Sequence, residues 1–206
     1  LPISSFPRQD TEILVEEVLK ELHDGMRVLD MCTGSGCILL SLLHYSNDCE
    51  GLGVDLSAEA LEVAGRNVLK VLTPEKAEHA HFLQSDLFEK VEGKFEIIVS
   101  NPPYIASAEV EKLMPEVRDH EPRMALDGTE DGLHFYRRII EEAGKHLVSS
   151  GMLFFEIGYD QGQAVSELMR TEGYHEVQVV QDYAGLDRVV FGTYVTVQPA
   201  PFAKSR

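Results

Sequence analysis

This sequence is short of positive charge for its size. Its 206 residues include 18 lysines and arginines against 35 aspartates and glutamates, a formal net charge of −17. A phosphate backbone repels such a surface, and no Lys/Arg cluster supplies the basic patch that nucleic-acid binders present. Direct nucleic-acid binding is therefore not expected; a basic protein segment or a small cationic ligand suits the charge better. Long apolar runs are also missing. The longest, such as Ile38-Leu39-Leu40 and Met152 to Phe155, fall far short of the roughly 18 residues a membrane span requires. No signal-peptide pattern opens the chain, so a cytoplasmic protein without a membrane partner is expected. Cysteine is scarce. Cys32, Cys37 and Cys49 are odd in number and lack metal-ligand spacing, as free thiols in a reducing compartment would. His79 and His81 have no third ligand nearby, so no metal site is expected. The chain starts at Leu1 rather than Met, as expected of a piece of a longer protein.

What is present is an ordinary globular composition, 44% hydrophobic and 26% charged, long enough to bury roughly 70% of its unfolded surface as one domain. Asp10 reads as an N-cap, ahead of an apolar stripe at Leu14, Val15, Val18, Leu19 and Leu22. Strands are expected near 27–30, 51–55, 79–84, 95–100, 152–156, 176–181 and 188–196. Helices are expected near 37–45, 57–69, 108–114, 133–147 and 161–171. Strands alternating with helices imply a parallel α/β sheet covered on both faces. The last two strands are joined only by Asp182–Asp187, too short for a parallel crossover, so they should pair antiparallel. The expected unit is one domain over 1–197, a mostly parallel seven-stranded sheet with a terminal antiparallel hairpin, followed by a flexible tail at 198–206.

In open α/β sheets ligands bind beyond the carboxyl ends of the strands. Four successive strand ends carry Asp30, Asp55, Asp86 and Asn101, which are expected to line one rim. The first turn, Cys32-Thr33-Gly34-Ser35-Gly36, can bring backbone N–H groups close to a ligand. A dinucleotide fold needs a third small residue where Leu39 stands, and nothing provides for a pyrophosphate. Asp55, 21 residues past Gly34, can accept from both hydroxyls of a ribose. Asp86 can accept from an adenine amine while Leu87 and Phe88 flank the ring. A nucleoside cofactor without pyrophosphate points to S-adenosylmethionine.

The fourth strand runs into Asn101-Pro102-Pro103-Tyr104. Two consecutive prolines stop it and stiffen the turn, because each fixes its own φ and extends the residue before it. The Asn101 side-chain carbonyl and the Pro102 carbonyl can both accept from one –NH2 group, over which Tyr104 can stack. On these residues alone the group clamped is either an amide or a nucleobase.

With these motifs in place the chain resembles the HemK/PrmC family of protein-(glutamine-N5) methyltransferases, from Phe6 to Tyr194. The marks are Phe6-Pro7-Arg8-Gln9-Asp10-Thr11, Ser85-Asp86-Leu87-Phe88 and Asn101-Pro102-Pro103-Tyr104-Ile105, followed by Glu121-Pro122-Arg123 and Asp131-Gly132-Leu133. Phe155-Glu156-Ile157-Gly158, Asp182-Tyr183 and Asp187-Arg188 complete the set. The resemblance implies a Rossmann-like class I methyltransferase fold. It also implies S-adenosylmethionine as cofactor, and N5-methylation of the glutamine in the Gly-Gly-Gln motif of class 1 peptide-chain release factors. By the family pattern Cys32 to Gly36, Asp55, Asp86, Leu87 and Asn101 contact the cofactor. Asn101 to Tyr104 hold the glutamine, with Asn101, Pro102 and Tyr104 as its catalytic groups. Arg8, Thr11 and Asp30 are possible secondary contacts. Cys32 stands where the family has its first glycine, and Cys37 where it has a small residue. The small helical docking domain that usually opens the family is not expected here. An adenine-N6 methyltransferase of DNA or RNA, which uses the same four-residue turn on a flipped base, is the main alternative. A non-catalytic cofactor-binding fragment is the other.

Overall fold

A computed structural model of the protein describes residues 9–105, 107–110 and 128–195. The expected short helix beyond residue 110, the tail at 198–206 and the residues before Gln9 lie outside this set.

Helix α1 (Gln9–Glu21) starts one residue before Asp10, which therefore sits in its first turn and not ahead of it. Its stripe is buried at Leu14, Val15 and Val18, with Leu19 and Leu22 packed at the edge. Strand β1 (Arg27–Met31) leads through a glycine turn into α2 (Cys37–Tyr45), an almost wholly apolar helix whose Leu39, Leu40 and Leu42 are fully buried. Strand β2 (Glu50–Asp55) can lie against α2 because position 51 is glycine; a Cβ there would come within 2.6 Å of Leu39. Helix α3 (Ala58–Val71) is capped by Ser57, whose hydroxyl accepts from the Ala60 amide at 3.1 Å. A single turn, α4 (Pro74–Ala77), begins at Thr73 with proline at its first position, and precedes β3 (Ala80–Gln84).

Strand β4 (Phe95–Ser100) is buried almost throughout, as a central strand of a parallel sheet should be. After the short α5 (Ser107–Val110) the described chain resumes at Gly128 and leads into α6 (His134–Ala143) and β5 (Leu147–Glu156). Leu147 opens that strand instead of closing the helix, because it pairs with Phe95 across a register shift. Helix α7 (Gly162–Thr171), β6 (Tyr174–Gln181) and β7 (Asp187–Tyr194) follow.

The sheet order is β3-β2-β1-β4-β5-β7-β6. Strands β1 to β5 pair parallel, and β7 runs antiparallel to both β5 and β6, so the terminal hairpin forms as its short connection requires. Two apolar layers cover the sheet. One is built by α1 and α2 over Val28, Ile97 and Val99, the other by α6 and α7 over Leu29, Ile98 and Phe155. Among the described residues no helix is long and apolar enough to cross a membrane, and no group of three His, Cys, Asp or Glu side chains could hold a metal ion.

Candidate active site

Met31 pairs with Val54 on one side and Ser100 on the other, so Cys32, Asp55 and Asn101 follow at one level of the sheet edge. Two strand spacings, ~10 Å, separate the last two. The Ser100 hydroxyl donates to the Met31 carbonyl at 2.7 Å and ties β4 to β1 just below this edge.

The turn after β1 holds three residues at positive φ: Cys32 at 61°, Gly34 at 57° and Gly36 at 77°. Cys32 adopts the left-handed backbone that a glycine takes without penalty, at a cost of roughly 1–2 kcal/mol. Its thiol is pushed far up, by burial first and by Asp55 and Asp30 second, so it is neutral and no nucleophile. Burial likewise lifts the Cys37 thiol to about 11. Three polar contacts fix the turn. The Thr33 amide donates to the Val54 carbonyl at 2.9 Å, the Gly34 amide to Asp55 Oδ2 at 2.8 Å, and Asn67 Nδ2 to the Ser35 carbonyl at 3.0 Å. A Cβ at Gly34 would meet nothing within 4 Å, so the turn is open there. Asp55 is half-buried at its edge, its Oδ1 accepting from the Ser57 amide at 2.9 Å. Its carboxylate has lone pairs left for ligand hydroxyls, so the open turn and this acceptor fit a nucleoside.

Asp30 does not reach the rim where the strand-end pattern put it. It is 0% exposed, beneath the turn, and accepts from the Thr33 hydroxyl at 2.6 Å and the Leu39 amide at 3.3 Å. Its Oδ1 has no hydrogen-bond partner among the described residues. Burial, opposed by the bonds from Thr33 and Leu39 and aided by Asp55, raises its carboxyl to about 7. Asp30 holds the turn from below, because it lies one residue short of the end of β1, level with Gly53 and two residues deeper than Asp55. Thr11 is buried on α1, and Arg8 lies outside the described residues.

After β3 the Ser85 amide donates to the Asp55 carbonyl at 3.0 Å, and the Ser85 hydroxyl accepts from the Lys90 amide at 3.0 Å. Leu87, at φ 45° and buried, is another non-glycine residue in the left-handed region. Strain of this kind persists only where the surroundings enforce it and gathers at binding sites. Asp86 is paired with Arg138 of α6, Nη2 to Oδ1 at 2.9 Å.

At the end of β4, Asn101 and Tyr104 are half-buried and Pro102 and Pro103 buried. The segment from Gly128 to Leu133 packs directly on this turn. The Gly128 amide donates to the Ile105 carbonyl at 2.8 Å and the Ser107 amide to the Thr129 carbonyl at 2.9 Å. A Cβ at Gly128 would stand 2.8 Å from the Pro103 carbonyl oxygen, and one at Gly132 would collide with that of Tyr104. Asp131 accepts from the Leu133 amide at 3.0 Å and pairs with Arg137; those bonds pull its carboxyl down to about 2. Gln161, just ahead of α7, bonds to both Tyr104 and Gly132. The sequence reading missed Asn67, Arg138 and Gln161. Asn67 left a trace as a polar residue beside Val68 on the buried face of α3; the other two left none.

Residues 8–117 match a family model described as Methyltransferase small domain. The chain is 44% identical over 189 residues to release factor glutamine methyltransferase of Thermodesulfovibrio yellowstonii, covering 89% of this chain and 66% of that protein. To the protein of that name in Escherichia coli it is 39% identical over 195 residues, covering 94% of this chain and 69% of the other. It therefore spans about two thirds of the length of these curated relatives. Among solved structures it resembles a release factor-specific protein-(glutamine-N5) methyltransferase of Alicyclobacillus acidocaldarius. There the TM-score is 0.54 at 30% identity, over 92% of this chain and 94% of the other. An open glycine turn beside Asp55 and the rigid Asn-Pro-Pro-Tyr turn one strand away are thus carried on a sequence and a sheet shared with one group of enzymes, and the chain belongs to the release factor glutamine methyltransferase family.

Proposed function

We propose that this chain carries the catalytic domain of an S-adenosylmethionine-dependent enzyme that methylates the side-chain nitrogen of a glutamine, that of the Gly-Gly-Gln motif in class 1 release factors. The observation that carries the reading is the Asn101-Pro102-Pro103-Tyr104 turn, stopped at the end of β4 one strand from the open turn after β1. The family supplies the identity of the acceptor.

The backbone of Cys32 to Gly36 and the carboxylate of Asp55 hold the cofactor's nucleoside, Asp55 taking its ribose hydroxyls. Asp86 and Leu87 border its adenine. When bound, S-adenosylmethionine supplies a methyl group on a positively charged sulfur. The Asn101 side-chain carbonyl and the Pro102 main-chain carbonyl accept the two hydrogens of the glutamine –NH2, which aims its nitrogen at that methyl group. Tyr104 supports the planar amide by stacking. Holding the reactants in register supplies several kcal/mol. The same two carbonyl dipoles stabilise the positive charge that grows on nitrogen as its bond to carbon forms and the carbon–sulfur bond breaks. The methylated nitrogen then gives up a proton to water, so no strong base is needed. The surface charge of −17 favours approach by a basic, glycine-rich loop.

The test is incubation of the full-length protein with labelled S-adenosylmethionine and, in parallel, a purified class 1 release factor and DNA and RNA duplexes. A single methyl group on the glutamine of Gly-Gly-Gln, located by mass spectrometry, is the expected result. Label on adenine, or on no substrate, overturns the proposal.

A further inference from the structure

We propose that Gln161 is a positioning residue for the acceptor turn, acting through its side-chain amide on the backbone of Tyr104. The inference rests on the reading of Asn101 to Tyr104 as the glutamine clamp. Gln161 Nε2 donates to the Tyr104 carbonyl at 3.0 Å and to the Gly132 carbonyl at 3.3 Å, while its Oε1 accepts from the Gly158 amide at 2.9 Å. One side chain thus joins three segments: the turn after β4, the entry to α6 and the end of β5. Both N–H groups and the carbonyl of the amide are used, which no other side chain of this size can do.

Its position suits it to hold rather than to follow. Gln161 is the N-cap residue of α7, yet its side chain makes no capping bond to that helix. Its main chain is anchored instead, the amide donating to the Gly158 carbonyl at 2.9 Å and the carbonyl accepting from the Val165 amide at 3.0 Å. Helix α7 in turn packs Val165 and Met169 into the core without exposure. The brace therefore stands on a fixed base, and the turn it meets is stiffened by two prolines. Gly132 makes the approach possible, since a Cβ there would lie 2.9 Å from Gln161 Nε2. Fixing the Tyr104 carbonyl fixes the peptide plane that follows the clamp and limits rotation of the residue carrying the aromatic ring. A displacement of about 1 Å at such a site costs on the order of a hundredfold in rate.

Two variants test this in the full-length protein. Gln161→Glu keeps size and acceptor but removes both donors, and Gln161→Ala removes the brace. Three readouts are taken: the kcat for methyl transfer to a release factor, calorimetric affinity for S-adenosylhomocysteine, and amide exchange at Ser107 and Gly128. Strand amides of β1 report folding. The expected result is a fall in kcat of about tenfold or more with cofactor affinity within about twofold, and lost protection at Ser107 and Gly128 while β1 stays protected. Unchanged kcat overturns the proposal. So does a parallel loss of kcat, cofactor affinity and β1 protection, which would mark a plain folding role. If the wild-type protein methylates no release factor, the substrate reading falls by itself. Exchange then decides the brace alone: retained protection at Ser107 and Gly128 in Gln161→Ala overturns it, and lost protection upholds it.

Discussion

The Gly34 amide donates to the Asp55 carboxylate at 2.8 Å, joining the turn after β1 to the end of β2 across the sheet edge. The carboxylate proposed to take the ribose is therefore also the group that sets the shape of the glycine turn. Its second oxygen is engaged by the Ser57 amide at 2.9 Å, which links it to the start of α3. The proposed ligand binding and the loop geometry converge on one side chain.

Asp55→Ala should therefore weaken S-adenosylmethionine binding by at least about tenfold, the size expected for lost hydrogen bonds to a charged acceptor. Asp55→Asn, which retains one acceptor oxygen, should lose less. Titration calorimetry checks both; affinity unchanged in Asp55→Ala refutes the ribose assignment.

Asn101→Ala removes one of the two carbonyls proposed to face the acceptor nitrogen. Methyl transfer should slow by about a hundredfold, as when other transition-state hydrogen bonds are lost, with cofactor affinity unaltered. Single-turnover transfer of labelled methyl groups measures the first quantity. Near-normal turnover would sink the clamp mechanism.

Gly132 and Gly25 separate two costs of adding a Cβ. Both have positive φ, 71° and 82°, but only at Gly132 is there an obstacle, the Tyr104 carbonyl. Gly25→Ala should destabilise by roughly 1 kcal/mol from backbone strain alone, and Gly132→Ala by a further 1–3 kcal/mol. Urea unfolding compares them. Equal costs would show that the Tyr104 turn yields freely.

The buried carboxyl of Asp30, raised to about 7 from 3.8, binds its proton more tightly in the folded chain than in the unfolded one. Its contribution is greatest when it is protonated and declines as pH rises from about 4 to about 7, then stays level. Asp30→Asn removes that titration while keeping an acceptor for Thr33. The melting temperature of the variant relative to wild type should therefore climb across this window and flatten above it. A variant-minus-wild-type difference that falls with rising pH would contradict the assignment.

Much of this architecture is local and so can be read in one dimension. Helix α2 begins and ends where its apolar run does, β4 ends at its prolines, and the Asp182–Asp187 connection leaves β6 and β7 no choice but to pair antiparallel. The level of a side chain at a strand end is not local. Asp30 and Asp55 read alike as acids closing strands, yet Asp30 lies level with Gly53, two residues deeper in the sheet than Asp55, and is fully buried. Partners far apart in the chain are harder still: Gln161 reaches Tyr104 across 57 positions, and Arg138 reaches Asp86 from another helix. The left-handed backbone at Leu87 was hidden because leucine does not advertise it, whereas at Cys32 the glycine usual at that place in the family was a hint.

The strand order has a consequence for how the site is assembled. The chain builds β1, β2 and β3 outward to one edge, then returns to β4 and builds the rest toward the other. Among the described residues, those proposed to hold the nucleoside, from Cys32 to Leu87, precede Phe95, and the proposed acceptor turn with Gly132 and Gln161 follows it, while Arg138 of α6 reaches back to Asp86. The two halves of the sheet meet at the seam of β1 and β4, where the Ser100 hydroxyl bonds the Met31 carbonyl and ties one half to the other.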